Sequence, residues 1–145
     1  MSADAHQLVD WNDFNKARGE LGPGFVRILG YFREDGLKSV DAIEEAIRAK
    51  NAAALVRPAH TLKGESRQFG AGPLGDLSEE IEMTARRCVE LQTTPDELIP
   101  EIVKLRPLFD RTMELFDRET NPLLQCRAAA TAPGFGRRAV FGRAG

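Results

Sequence analysis

The sequence predicts an all-α protein: an antiparallel four-helix bundle with a short additional N-terminal helix. Apolar residues recur at steps of three and four through most of residues 1–120, as expected for helices that bury one face. No stretch shows the sustained alternation and β-branched enrichment of a strand. Four substantial amphipathic segments joined by short breaks can bury their apolar faces together as a bundle. The 42% of hydrophobic residues is enough to form its core.

The first two helices are separated by the breaker cluster GPG at residues 22–24. A short first helix is predicted from Leu8, Trp11 and Phe14, and it ends before this cluster. A long second helix is predicted from the apolar series Phe25, Ile28, Leu29, Phe32, Val40, Ile43 and Ile47. Gly36 lies within this series, so the helix is either continuous or bent or interrupted there.

The third and fourth helices have clear boundary signals. Asn51 is the predicted N-cap of the third helix, which ends at GAG, residues 70–72. Its apolar residues are Leu55, Val56, Ala59, Leu62 and Phe69. Pro73 suits the first turn of the fourth helix, because its fixed φ is helical and its missing N–H has no helical partner there. The fourth apolar stripe is Leu74, Leu77, Ile81, Ala85, Cys88 and Leu91.

The fifth helix is less regular in sequence. Thr94 and Glu97 resemble a capping box, and the stripe that follows is Ile102, Leu105, Phe109, Met113 and Phe116. Pro100 and Pro107 predict either a kink or a regular part that begins only after Pro100. Helical periodicity fades after this segment. We therefore predict a helical domain over residues 1–120 and a basic, flexible tail over residues 121–145.

Charge and composition exclude several classes of protein. The formal net charge is −2, and because residues 121–145 hold four arginines and no acidic residue, residues 1–120 carry −6. An acidic body gives no electrostatic case for nucleic-acid binding. No apolar run approaches the roughly 20 residues that cross a bilayer, so we expect no membrane association and a cytoplasmic location. Cys88 and Cys126 have no metal-ligand spacing and are expected to be reduced thiols, with Cys88 in the core.

The third helix carries a histidine on its outward face. At about 100° per residue, the buried seam is formed by Leu55, Ala59, Leu62, Ser66 and Phe69. His60 lies roughly 120–140° from the centre of this seam, Gly64 lies nearly opposite it, and Lys63 lies at its edge. Arg67 falls close to His60 on the same projection. The pattern predicts an exposed imidazole with cations beside it.

Gly64 needs a reason to be in a helix, because glycine there costs roughly 0.5–1 kcal/mol relative to alanine. Its place one turn after His60 clears the helix surface beside the ring, so that a second macromolecule can approach. An exposed imidazole, a neighbouring cation and a cleared surface suit a histidine that receives and returns a phosphoryl group. Lys63, with Arg67 as a further candidate, would offset the added negative charge.

Residues 59–87, AHTLKGESRQFGAGPLGDLSEEIEMTARR, resemble the signature of histidine phosphotransfer (HPt) domains. In that family a His-x-x-Lys-Gly motif lies on the second helix of a four-helix bundle. The resemblance extends as a helix pattern over about residues 8–118. It implies that His60 is the phosphoacceptor, Lys63 the stabilising cation and Gly64 the clearing for the partner. Glu65 departs from the family pattern, which has a small residue at that position.

The resemblance also implies the partners. A receiver domain of a hybrid histidine kinase would deliver the phosphoryl group, and a receiver domain of a response regulator would accept it. The receiver would bring the reacting aspartate and Mg²⁺, so no cofactor or metal of this chain is expected, nor an ATP-dependent kinase activity of its own. Arg67, Gln68 and Arg86 are candidate partner-binding residues, although an ordinary solvated face explains them equally well. We expect a monomer.

Two alternatives remain open at this level. One is an adaptor of the same fold that binds its partner without being phosphorylated. The other is a dimeric phosphotransferase, similar to a histidine kinase, that works with its own catalytic domain. His6 is expected to be only incidentally exposed.

Overall fold

The computed structural model describes residues 7–121, and every regular element among them is helical. The elements are α1 (Trp11–Leu21), a 3₁₀ turn (Gly22–Gly24), α2 (Phe25–Arg48), α3 (Ala52–Gln68), α4 (Gly72–Leu91), a second 3₁₀ turn (Asp96–Leu98) and α5 (Ile99–Thr120). The predicted all-α class is therefore confirmed.

The chain divides into two compact units, residues 1–112 and residues 113–145. The first unit holds α1 to α4 and α5 as far as Thr112. The described part of the second unit is the rest of α5 and Asn121. The predicted tail lies, apart from Asn121, outside the described residues, as does Cys126, and the predicted domain boundary at residue 120 stays a prediction.

Helix α2 is continuous through Gly36, so a break at this glycine does not occur. A Cβ built on Gly36 would lie 2.5 Å from Cε1 of Phe109 on α5, which means that the glycine provides room for this ring. Close packing between helices, and not a bend, explains the glycine. Phe109 also meets the ring of Phe32 edge to face, with centroids 6.4 Å apart.

The boundaries of α3 and α4 follow the predicted signals. The side chain of Asn51 caps α3 by accepting a hydrogen bond from the N–H of Ala54 at 3.1 Å. Pro73 lies in the first turn of α4. Between the two helices Gly70 has a φ of +80°, and its carbonyl accepts a hydrogen bond of 2.8 Å from the N–H of Asp10. The turn thus ties the start of α1 to the end of α3.

The predicted start of the fifth helix is wrong in detail. Thr94 donates its hydroxyl to Asp96 at 3.2 Å, and Glu97 pairs with Arg87 on α4 at 2.7 Å, so the two residues form no capping box. A 3₁₀ turn leads directly into α5, which begins at Ile99. Pro100 is therefore in the first helical turn, where a missing N–H costs nothing, and Pro107 lies inside the helix.

Helix α3 packs against both α2 and α4 within the first unit. Leu55, Ala59, Leu62 and Ser66 on its inner face are completely buried. Cys88 on α4 is also buried and has a free thiol, as predicted for a core residue. The inner face of α3 is thereby held in place, and the outer face is available to solvent.

Candidate functional site

His60 lies on the outer face of α3, and its side chain is 60% exposed. Gly64, one turn later, is also exposed, and a Cβ placed there would meet nothing within 4 Å. The glycine therefore has no packing role in the chain itself. It leaves the surface beside the ring of His60 low and open.

Glu82 on α4 lies behind His60 and organises its surroundings. Its carboxylate is only 4% exposed. Oε2 lies 3.0 Å from Nδ1 of His60. It also accepts a hydrogen bond of 3.0 Å from Nε of Arg86 and forms an ion pair of 2.9 Å with Nη2 of the same guanidinium. Oε1 forms an ion pair of 2.8 Å with Nζ of Lys63. We call these four residues, His60, Lys63, Glu82 and Arg86, the Glu82 cluster.

The Glu82 carboxyl group is ionised in this setting. Burial raises its pKa, but contacts with Lys63, Arg86 and His60 outweigh burial and bring the pKa down to about 2. An ionised carboxylate can only accept hydrogen bonds. Nδ1 of His60 therefore carries a proton and donates a hydrogen bond to Glu82, so the lone pair of the neutral ring is on Nε2.

The helical projection places Lys63 and Arg67 beside His60, but in the structure only Lys63 belongs to the cluster that contains the ring. Lys63 is only 20% exposed and is held by Glu82, within the cluster that contains the ring. Arg67, in contrast, extends along α4, where it pairs with Asp76 at 3.1 Å and Glu79 at 2.6 Å. Its side chain lies over Gly75, whose Cβ position would be 2.9 Å from Cγ of Arg67. Arg67 thus links α3 to α4.

The remaining candidate residues surround this arrangement. Gln68 is exposed at the end of α3. Glu65 is partly exposed, but its Oε1 is buried and has no hydrogen-bond partner. Burial, with a smaller contribution from Asp35 on α2, raises the pKa of Glu65 to about 7. Glu65 is therefore near the interface of α2 and α3 and outside the Glu82 cluster.

The sequence pattern alone does not single out Glu82. The residue was visible only as the last letter of EEIE, residues 79–82, next to the apolar stripe of α4. One signal was available: Glu82 and Arg86 are four residues apart, a spacing that favours a pair on one helix face. That spacing could not show that the pair faces His60 on another helix.

Two classes of feature are absent from the part of the chain that the structure describes. Residues 7–121 contain no group of three or more His, Cys, Asp or Glu side chains placed to hold a metal ion. None of the helices in that range is both long and apolar enough to span a membrane.

Comparisons with known proteins identify the family. Residues 27–115 match the Hpt domain. Histidine-containing phosphotransfer protein B from Pseudomonas aeruginosa PAO1 is 26% identical and superposes with a TM-score of 0.68, over 81% of this chain and 96% of that chain. The HPT domain of the Hpt sensor hybrid histidine kinase from Shewanella is 22% identical with a TM-score of 0.59, over 89% of this chain and 100% of that chain, and shows the same fold.

The sequence has no match among curated proteins. The family match nevertheless covers more than half of the chain, and the helical bundle agrees with both solved structures. The chain therefore belongs to the Hpt domain family, and its role is histidine phosphotransfer in a phosphorelay.

Proposed function

We propose that His60 accepts a phosphoryl group from the aspartate of a receiver domain in a hybrid histidine kinase and passes it to the receiver domain of a response regulator. The observation that carries this proposal is the orientation of the ring. Nδ1 is bound to buried Glu82, and the side chain is 60% exposed. The opposite nitrogen, Nε2, has the lone pair that a nucleophile requires.

Each transfer exchanges one bond for another. The lone pair of Nε2 attacks the phosphorus of the aspartyl phosphate, the bond between phosphorus and the aspartate oxygen breaks, and the aspartate regains its carboxylate. The second transfer is the reverse reaction with a different receiver. Because attack and departure must be nearly in line, positioning of the ring accounts for most of what this chain contributes.

Residues around the ring support the partner's approach and the phosphoryl charge. Gly64 leaves open space beside the ring for the receiver surface. Lys63 and Arg86 are close enough to Glu82 to share it with His60, so both cations are near the incoming negative charge. Gln68 and Arg67 would lie at the edge of the docking surface. The receiver would supply Mg²⁺, which neutralises charge on the phosphoryl oxygens.

Hpt domains are phosphocarriers, and we propose that this chain has no ATP-dependent kinase activity of its own. We further propose that it acts as a monomer in the cytoplasm. An exposed histidine that must meet two receivers in turn is best served by transient interfaces.

The test is phosphotransfer from a phosphorylated receiver domain. The purified chain is incubated with the receiver, acid-labile phosphate on the chain is followed, and wild type is compared with His60→Gln. We expect labelling of wild type and none of the variant, with circular dichroism showing that both are folded. A folded wild type that no receiver labels would contradict the proposal and favour the adaptor function.

A further inference from the structure

Phosphorylated His60 can keep or lose the proton on Nδ1, and this decides how readily the imidazole leaves the phosphorus atom in the next transfer. When Nε2 of the neutral ring forms its bond to phosphorus, Nδ1 still carries hydrogen, and the ring becomes an imidazolium. If the ring keeps this proton, it can later depart as neutral imidazole. If it loses the proton, departure would require an imidazolide anion, which is a far poorer leaving group.

Glu82 is placed to control that proton. Its Oε2 is 3.0 Å from Nδ1, and the carboxylate is 4% exposed, so bulk water has little access to the acceptor. The group is ionised, because its pKa is about 2 through contacts that outweigh the effect of burial. A fixed negative charge in direct contact with a cationic ring favours the protonated ring.

We propose that Glu82 keeps the proton on Nδ1 of phosphorylated His60, so that the imidazole stays a good leaving group and the phosphoryl group is passed on instead of being stored. This inference rests on the proposed phosphorylation of His60. Glu82 touches neither the phosphoryl group nor the receiver in this scheme, so it is a positioning residue that acts through the ring.

The onward step then balances without an added acid. The receiver aspartate oxygen attacks phosphorus, the bond from Nε2 to phosphorus breaks, and its electron pair returns to Nε2. The ring becomes neutral and Nδ1 retains its hydrogen. It is therefore ready to accept the next phosphoryl group without exchanging a proton with solvent.

Neighbouring charges act in both directions on the phosphorylated ring. Lys63 on α3 and Arg86 on α4 are cations and oppose a positive ring, whereas Glu82 and the phosphoryl group itself favour it. Among these protein groups Glu82 has the largest effect on protonation of the ring, because it contacts Nδ1 directly and because it also binds both cations. Replacing it with a neutral residue would leave the ring with two unopposed cations.

The first test needs no receiver. The chain is treated with phosphoramidate, a small phosphoryl donor, and phosphorylated His60 is followed by ³¹P NMR from pH 5 to 10, with His60→Gln used to subtract any signal from His6. We expect the pH at which the ring loses its proton to be lower by about one unit or more in Glu82→Gln than in wild type. Equal midpoints in the two folded proteins would overturn the inference.

If Glu82→Gln does not fold, the unfolded wild-type chain provides the reference for the same measurement. The wild-type chain, phosphorylated in the same way and then unfolded in urea, gives the midpoint of a ring without Glu82 beside it. Folded wild type is expected to keep its ring proton to a higher pH than this reference, again by about one unit. A folded midpoint at or below the unfolded one would overturn the inference.

The second test measures transfer from the phosphorylated chain to one receiver across pH 6 to 8.5. The ratio of the Glu82→Gln rate to the wild-type rate cancels the pH dependence of the receiver. We expect this ratio to fall as pH rises from the variant's midpoint to that of wild type, by about tenfold in all for midpoints one unit apart, and to recover toward pH 6. Glu82→Asp, which keeps the charge, should restore much of the rate at high pH.

The matched control is Glu90→Gln, which removes the same charge from an exposed position on the same helix and should leave the ratio flat. A ratio for Glu82→Gln that is low but equally flat would mean that Glu82 has only a structural role, and would overturn the inference. Failure of the proposed function gives a different result: phosphoramidate would still phosphorylate the chain, but no receiver would exchange phosphate with it.

Discussion

The Cβ position of Gly36 on α2 lies 2.5 Å from Cε1 of Phe109 on α5, so the ring occupies the space that any larger residue would need. Phe109 is itself buried at 2% exposure, which limits how far the ring can move away. We expect Gly36→Ala to lower the free energy of unfolding by about 1–3 kcal/mol, measured by urea denaturation. Gly30→Ala is the control. Gly30 is on the same helix, and a Cβ placed there would meet nothing within 4 Å. The free energy of unfolding is therefore expected to rise by about 0.5–1 kcal/mol.

Gly64 should respond in the opposite way to Gly36. A Cβ there meets no other atom within 4 Å, so Gly64→Gln should leave stability unchanged or slightly raised. Phosphotransfer should slow by roughly a hundredfold, because the added side chain holds the receiver away from the ring. Gly30→Gln makes the same change on α2 and should not affect transfer. A Gly64→Gln variant that transfers phosphate at the wild-type rate would show that the glycine does not serve docking.

The partly buried carboxyl group of Glu65 should make stability depend on pH. Its pKa is raised from 4.5 in the unfolded chain to about 7 in the fold, mainly by burial and further by Asp35. The folded chain thus binds the proton more tightly, and ionisation opposes folding. The cost is absent below pH 4.5, grows between pH 4.5 and 7, and is complete above pH 7.

Glu65→Gln removes that cost. Since the side chain is partly exposed and solvent screens its charge, the variant should exceed wild type by about 1 kcal/mol above pH 7. The two proteins should be equal near pH 4.5. Urea denaturation at four pH values between 4.5 and 8 measures the difference, and Glu90→Gln controls for loss of a surface charge. A difference that is constant with pH would contradict the assignment.

Adjacent arginines on α4 offer a matched pair. Arg86 binds Glu82 at 2.9 Å within the Glu82 cluster, whereas Arg87 pairs with Glu97 at 2.7 Å and is not part of the cluster. A hydrogen bond to a charged group is worth about 1.5–3 kcal/mol, so Arg86→Gln should slow phosphotransfer by roughly tenfold or more. Arg87→Gln should leave the rate within about twofold of wild type. Single-turnover transfer from a phosphorylated receiver measures both, and equal rates for the two variants would argue against a role for Arg86.

Much of the fold was predictable because helix periodicity and end signals are local. Asn51 and Pro73 mark the starts of α3 and α4 correctly, since capping and the fixed φ of proline depend on the nearest residues alone. The reason for Gly36 was not predictable, because it depends on Phe109, which is 73 positions away in the sequence. The predicted start of α5 was wrong because Glu97 forms an ion pair with Arg87 of another helix and does not cap α5.

The site likewise combines features that are local in the sequence with contacts between different helices. His60, Lys63 and Gly64 share one helix, so their positions on its surface follow from 3.6 residues per turn. Their assigned roles stay predictions. Glu82 and the partners of Arg67 required knowledge of the register between α3 and α4. A helical projection places Arg67 near His60, but it cannot show that carboxylates of the neighbouring helix hold its guanidinium.

Trp11, the single tryptophan of the chain, meets the ring of Phe14 edge to face with centroids 5.0 Å apart, close to where Asp10 binds Gly70. Gly70 follows the end of α3 at Gln68, which is eight residues beyond His60, or about 12 Å at the helical rise. Intrinsic fluorescence therefore reports on the contact between α1 and the turn that joins α3 to α4. Its emission will follow unfolding of α1, whereas binding at the ring itself is best followed with an extrinsic fluorophore near His60.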